Sequence, residues 1–136
     1  MNWKNRLRNW PNGVWFMGVT LWSLFILYAL FKPASEIPEV PLIIPHLDKA
    51  VHFTLFAVEG FLLVALFKGP LLRFDARGKW GWFLLFMFLV ICSAGSEYLQ
   101  EHYTLDRSGD LFDAVADLLG GIIGALCATF FFTTRD

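Results

Sequence analysis

The sequence predicts an all-α, polytopic integral membrane protein, with about four transmembrane helices in a compact bundle. Three observations lead there. The 136 residues are 57% hydrophobic and only 17% charged, against about 45–50% apolar and about 25% charged in soluble domains. The apolar residues run in long blocks instead of alternating with polar ones. Four of those blocks approach the roughly 20 residues that a helix needs to cross the hydrocarbon core of a bilayer. A chain of this length holds one domain, residues 1–136, and its net charge of −1 leaves no large basic surface for nucleic acid.

The first block, about Val14–Phe31, carries no charge at all. Lys4, Arg6 and Arg8 precede it, as in a signal peptide. A secretory h-region is shorter, about 7–15 residues, and ends at a small-residue cleavage pattern that YALFKP lacks. The block is therefore read as an uncleaved anchor. The second, about Ala50–Phe67, is interrupted by His52 and Glu59. The third, about Trp80–Glu97, is apolar as far as Gly95. The fourth, about Leu111–Phe132, has Asp113 and Asp117 in its first two turns. Prolines at 33, 38, 41 and 45 make the first connection non-helical. Gly69, Pro70 and Gly78 mark the second, and the polar stretch Tyr98–Asp110 forms the third. Cys92 and Cys127 sit inside apolar blocks without a CxxC or a Cys/His pair at metal spacing, so they read as small buried hydrophobes.

Basic residues set the expected orientation, because Lys and Arg concentrate in cytoplasmic loops. Eight of the eleven stand before the first block, between the second and third, or after the fourth. Lys32, Lys49 and Arg107 are the others. Both termini are then inside, in what reads as a bacterial cytoplasmic membrane. This places Asp48, His52, Glu97, Asp113 and Asp117 toward the outer face. Charge inside a span costs about 2.5–3.5 kcal/mol per residue at the bilayer centre, so such groups normally face the bundle interior and pair.

Three constellations follow. Asp48 and His52 are spaced i, i+4 and share a helical face. An Asp so placed can orient an imidazole as a general base or metal ligand. An interfacial His beside an upstream Asp is the plainer alternative, and both stay open. Glu97, Gln100 and Glu101 form a second group, in which Glu97 directly follows the apolar run. It is either a partly buried carboxylate or a solvated helix end. Asp110, Asp113 and Asp117 lie on one stripe of the fourth helix. A helix dipole and N-cap account for Asp110 and partly for Asp113. They account poorly for Asp117, about 6 Å deeper at 1.5 Å per residue. Arg107 is the evident cationic partner for these acids or for an anionic ligand. Farther along, Gly120 and Gly124 form a GxxxG pair that allows close helix packing. Glu59, near the middle of the second span, is either functional or a protonated, hydrogen-bonded acid.

These residues resemble the VanZ-like membrane proteins. The family pattern runs DK-x2-HF-x2-F on the second helix, E-x2-Q after the third, and an Arg with an Asp, Asn and Gly series on the fourth. Asp48, Lys49, His52, Phe53 and Phe56 match the first motif, and Glu97 and Gln100 the second. Arg107, Asp113, Gly120 and Gly124 match the third, so the resemblance covers more than half of the chain. Asp117 departs from it, standing where the family carries Asn, and Glu59 lies outside the pattern. The family takes its name from a protein linked to resistance to the glycopeptide teicoplanin. The resemblance implies an envelope protein with an outward-facing polar cluster, linked to antibiotic resistance or to lipid and peptidoglycan processes.

Two functional expectations stand side by side. In one, the cluster is a paired polar core in a non-catalytic protein whose partners are the lipid bilayer and an anionic lipid, an envelope precursor or a glycopeptide. In the other, the chain is a membrane-embedded enzyme acting on an anionic envelope substrate. His52, Glu97 and Asp113 are then the catalytic candidates, and Lys49, Arg107 and Gln100 hold the ligand. Asp48, Asp110 and Asp117 support them. No motif requires a cofactor, although Glu97 and Asp113 are candidates to hold a divalent cation. His52, Glu97, Arg107 and Asp113 are expected to meet.

Overall fold

In this computed structural model, residues 3–32, 46–73, 75–104 and 108–134 are described. They form six helices: α1 Trp3–Arg8, α2 Asn12–Phe31, α3 Leu47–Leu66, α4 Lys68–Leu71, α5 Ala76–Tyr103 and α6 Leu111–Thr133. Among the described residues there is no strand, and the fold is all-α. The helices α2, α3, α5 and α6 are long and apolar enough to cross a membrane. The proline-rich connection and Arg107 lie outside the described residues.

The third span is longer than its apolar run suggests. It starts at Ala76, a turn before Trp80, because Asp75 caps it by accepting a hydrogen bond from the Gly78 N–H at 3.1 Å. It then runs past Glu97 to Tyr103, making 28 residues in all. At 1.5 Å per residue that is about 42 Å, more than the roughly 30 Å of hydrocarbon, so α5 projects beyond it. Cys92 and Cys127 are both free.

Exposure is inverted relative to a water-soluble bundle. Leu111, Phe130 and Ile91 are 77%, 71% and 70% exposed, whereas Asp117 is fully buried. His52, Glu59, Ser93, Glu97, Gln100 and Asp113 are also buried. Lipid tails are as apolar as leucine, so helices in a membrane associate through close packing and interhelical hydrogen bonds. Together with the four long apolar helices, this makes the chain an integral membrane protein.

Close packing is most developed between α3 and α6. A Cβ on Gly120 would collide with the carbonyl of Phe53, and one on Gly124 with that of Ala57. Gly60 meets the carbonyl of Gly121 in the same way. The two backbones touch, and the register fixes α3 and α6 as parallel neighbours. The other two spans run the opposite way. Trp22 Nε1 donates to Leu55 O at 2.9 Å and joins α2 to α3. Ser93 Oγ donates to Ala114 O at 2.9 Å and joins α5 to α6. Leu63, Val64, Leu85, Leu89, Ala125 and Ala128 pack together along this bundle.

The two ends differ in chemistry. Where α3 and α6 finish, Arg8 Nη2 donates to Phe131 O at 2.6 Å and to Thr134 O, satisfying carbonyls at the α6 C-terminus. Lys68 Nζ donates to Arg8 O at 2.6 Å, and Arg73, Arg77 and Lys79 follow nearby in sequence. Where α3 and α6 begin, the acids gather.

Gly124→Val should therefore separate α3 from α6. The atom in the way is a backbone carbonyl, which cannot rotate aside, so the cost should reach or exceed the upper end of the about 1–3 kcal/mol typical of overpacking. Gly13→Ala, where no atom lies within 4 Å, is the control and should leave stability unchanged. Thermal unfolding of the detergent-purified variants checks both.

Candidate functional site

Three helices deliver the buried polar residues to one place. His52 lies in the second turn of α3 and Asp117 in the second turn of α6. The parallel register sets them at the same depth. Glu97 reaches that level from the opposite direction, near the end of α5. His52 Nδ1 stands 3.0 Å from Asp117 Oδ1 and 3.7 Å from Glu97 Oε1. With Asp117 ionised its carboxylate only accepts, and Nδ1 is then the donor in this contact. No described residue hydrogen-bonds to Nε2.

Each acid is held by its second oxygen. Ser96 Oγ lies 3.1 Å from Asp117 Oδ2 and 2.8 Å from Ser93 O, so its one O–H is shared between the two acceptors. The backbone N–H of Asp110 donates to Glu97 Oε2 at 2.9 Å, tying α5 to the start of α6. Asp117 Oδ1 and Glu97 Oε1 are thereby left facing the imidazole. Glu97 Oε1 is buried and makes no hydrogen bond among the described residues.

A second charged group centres on Lys49. Its ammonium lies 2.8 Å from Asp110 Oδ2, 3.0 Å from Asp113 Oδ1 and 3.2 Å from Asp48 Oδ2. Asp110 also caps α6, accepting from the Phe112 N–H at 2.9 Å. The Lys49 ammonium, and then the Phe112 N–H, hold the Asp110 carboxyl below its ordinary range.

The geometry redistributes the roles read from the sequence. His52 takes Asp117 as its partner, not Asp48, whose side chain is 59% exposed and pairs with Lys49. The i, i+4 spacing puts Asp48 on the right face but in the first turn, at the solvated edge. Lys49 is not free to hold an anion, because three carboxylates surround it. Asp113 belongs to this Lys49 group and makes no direct contact with His52. Gln100 is buried and donates to Leu30 O at 3.0 Å, linking α5 to α2 instead of reaching a ligand. The expected meeting therefore brings His52 and Glu97 together and leaves Asp113 one group away, while Arg107 is outside the described residues.

Two serines complete the set. Ser93 and Ser96 extend the polar stripe of Glu97 and Gln100 one turn back into the apolar run. That spacing of three and four was the available signal. Glu59 is separate: Ser23 Oγ donates to its Oε1 at 2.9 Å, while Oε2 has no partner among the described residues.

Chemically, one nitrogen of His52 and one oxygen each of Glu97 and Asp117 lie within 4.8 Å of one another, a separation compatible with a shared cation. The wide groove lined by Phe16, Leu63, Leu84 and Phe88 lies farther along the bundle and is almost wholly apolar. Comparisons with family models, with curated proteins and with solved structures find no match to this chain.

Asp110→Asn keeps an N-cap acceptor and removes the charge. Because the folded carboxyl titrates below its unfolded value of about 3.9, its contribution is complete above that pH. It disappears as pH falls through the lower folded value. The wild type should accordingly melt above Asp110→Asn at neutral pH, and the gap should close only on acidification below about pH 4. A gap constant across that range would show that Asp110 acts without its charge.

Proposed function

We propose that the chain is a VanZ-like protein of the bacterial cytoplasmic membrane, with both termini in the cytoplasm and the His52–Glu97–Asp117 group toward the outer leaflet. There it serves an envelope process that handles an anionic lipid, a peptidoglycan precursor or a glycopeptide. The separation of a basic end from an acidic end supports the orientation, since basic residues favour the cytoplasmic side. The ordered DK-x2-HF, E-x2-Q and Gly-x3-Gly motifs, which meet on facing helices, support the resemblance.

One observation favours a working site over a purely structural staple: Glu97 Oε1. A polar core that only fastened helices would satisfy each buried oxygen, because leaving one unpaired costs about 1–3 kcal/mol or more. Here Ser96 and the Asp110 N–H face the far oxygens, Ser93 is turned to the Ala114 carbonyl, and the near oxygen of Glu97 is left for something else.

A second reading, a membrane-embedded enzyme, is favoured by the orientation of the imidazole. Asp117 on Nδ1 fixes the tautomer that leaves Nε2 able to accept a proton, which is the role of a general base. His52 would then activate a hydroxyl or water against an anionic envelope substrate.

Conservative variants test the proposal. His52→Gln and Glu97→Gln should abolish envelope function, scored as teicoplanin susceptibility against a deletion strain, with protein still inserted at close to wild-type levels. Loss of inserted protein in step with loss of phenotype would reduce the cluster to a staple. Reporter fusions after Arg73 and Arg135 should report cytoplasm, and those near Pro41 and Tyr103 the outside. An outside signal at Arg73 would overturn the orientation.

A further inference from the structure

We propose that His52, Glu97 and Asp117 bind one divalent transition-metal ion of the zinc class, which deepens the working-site reading above and rests on it. The ligand spacing fits such an ion. A tetrahedral ion with N and O ligands at about 2.0–2.2 Å sets its ligand atoms roughly 3.4 Å apart. The distances from His52 Nδ1, 3.0 Å to Asp117 Oδ1 and 3.7 Å to Glu97 Oε1, bracket that value. All three ligand atoms lie within 4.8 Å of one another, so shifts of up to about 1 Å would seat the ion, with the imidazole proton moving from Nδ1 to Nε2 so that the Nδ1 lone pair faces the metal.

One of the three ligand atoms is an oxygen without a hydrogen bond among the described residues. Glu97 is only 8% exposed, and its Oε1 has no hydrogen-bond partner among the described residues while it is aimed at the imidazole. Among the described residues, charge balance points the same way. Two carboxylates and a neutral imidazole carry −2, which a divalent cation cancels. A protonated imidazole would cancel only half. Lys49 does not supply the remainder, since its ammonium is already shared by Asp48, Asp110 and Asp113.

Both carboxylates are also held from behind. Ligating carboxylates in metal sites are themselves hydrogen-bonded, which orients them. The Ser96 hydroxyl, shared with the Ser93 carbonyl, does this for Asp117, and the Asp110 N–H does it for Glu97. Both donors take the oxygen that points away from the imidazole. An imidazole with two carboxylates suits zinc, manganese or iron, whereas magnesium and calcium prefer oxygen alone. Three protein ligands leave a fourth position for water or for an oxygen of an anionic ligand, the arrangement of an open zinc site.

The test uses the full-length protein in detergent or nanodiscs. It is stripped with a chelator, titrated with zinc chloride, desalted, and measured for bound metal and thermal stability. Wild type should retain about one zinc per chain and melt at a higher temperature with zinc than without. His52→Gln and Glu97→Gln should retain none and lose the zinc-dependent shift. Ser96→Ala, which removes only an outer-shell donor, should bind about 10–100-fold more weakly. Glu101→Gln, on the exposed side of the same helix, should bind as wild type does.

Folded wild type that retains no zinc and shows no shift would overturn the inference, as would unchanged binding by His52→Gln and Glu97→Gln. Should a variant fail to fold, the wild-type shift alone decides. The working-site reading fails separately: it falls if these variants keep their envelope phenotype. If they lose the phenotype while wild type binds no metal, the metal falls and the site stands.

Discussion

The close approach of α3 and α6 governs the rest of the molecule. Gly60, Gly120, Gly121 and Gly124 carry no side chain, and that lets two backbones meet where any Cβ would strike a carbonyl or a packed leucine. In lipid, burying apolar surface between helices gains little, so such packing has to supply much of the association. It also fixes the register. With Phe53 against Gly120 and Ala57 against Gly124, His52 and Asp117 have no choice but to face each other.

This arrangement makes the polar cluster both a consequence of the fold and a brace for it. Asp117 is joined to α3 through His52 and to α5 through Ser96. Glu97 fastens the end of α5 to the start of α6. Gln100 and Trp22 extend the connections to α2. One oxygen in the group stands outside this network. That oxygen, Glu97 Oε1, has no hydrogen-bond partner among the described residues, and the proposed working site rests on it.

Much of the architecture was legible in the sequence because it depends on local properties. Apolar block length identified the four spans, and the Gly120/Gly124 spacing identified the packing face. A helix dipole left Asp117 unexplained, and that residue is the most buried of the described acids. Partner choice was not legible. The spacing of Asp48 and His52 is visible along one helix, whereas the contact of His52 with Asp117 spans 65 positions and depends on the interhelical register. Lys49 looked like an available cation for the same reason, since its neutralising acids come mainly from the start of another helix. Glu59 read as an isolated acid, and its serine donor lies 36 positions earlier on α2.

Direct coupling of His52 to Asp117 is the contact that ties the α3–α6 register to the polar cluster. A double-mutant cycle of His52→Gln and Asp117→Asn, followed by thermal unfolding in detergent with a chelator present, isolates that term from any metal. Residues in direct contact should show an interaction energy of about 0.5–3 kcal/mol. Strict additivity, within about 0.3–0.5 kcal/mol, would mean that the two side chains act apart and that α3 and α6 do not bring them together.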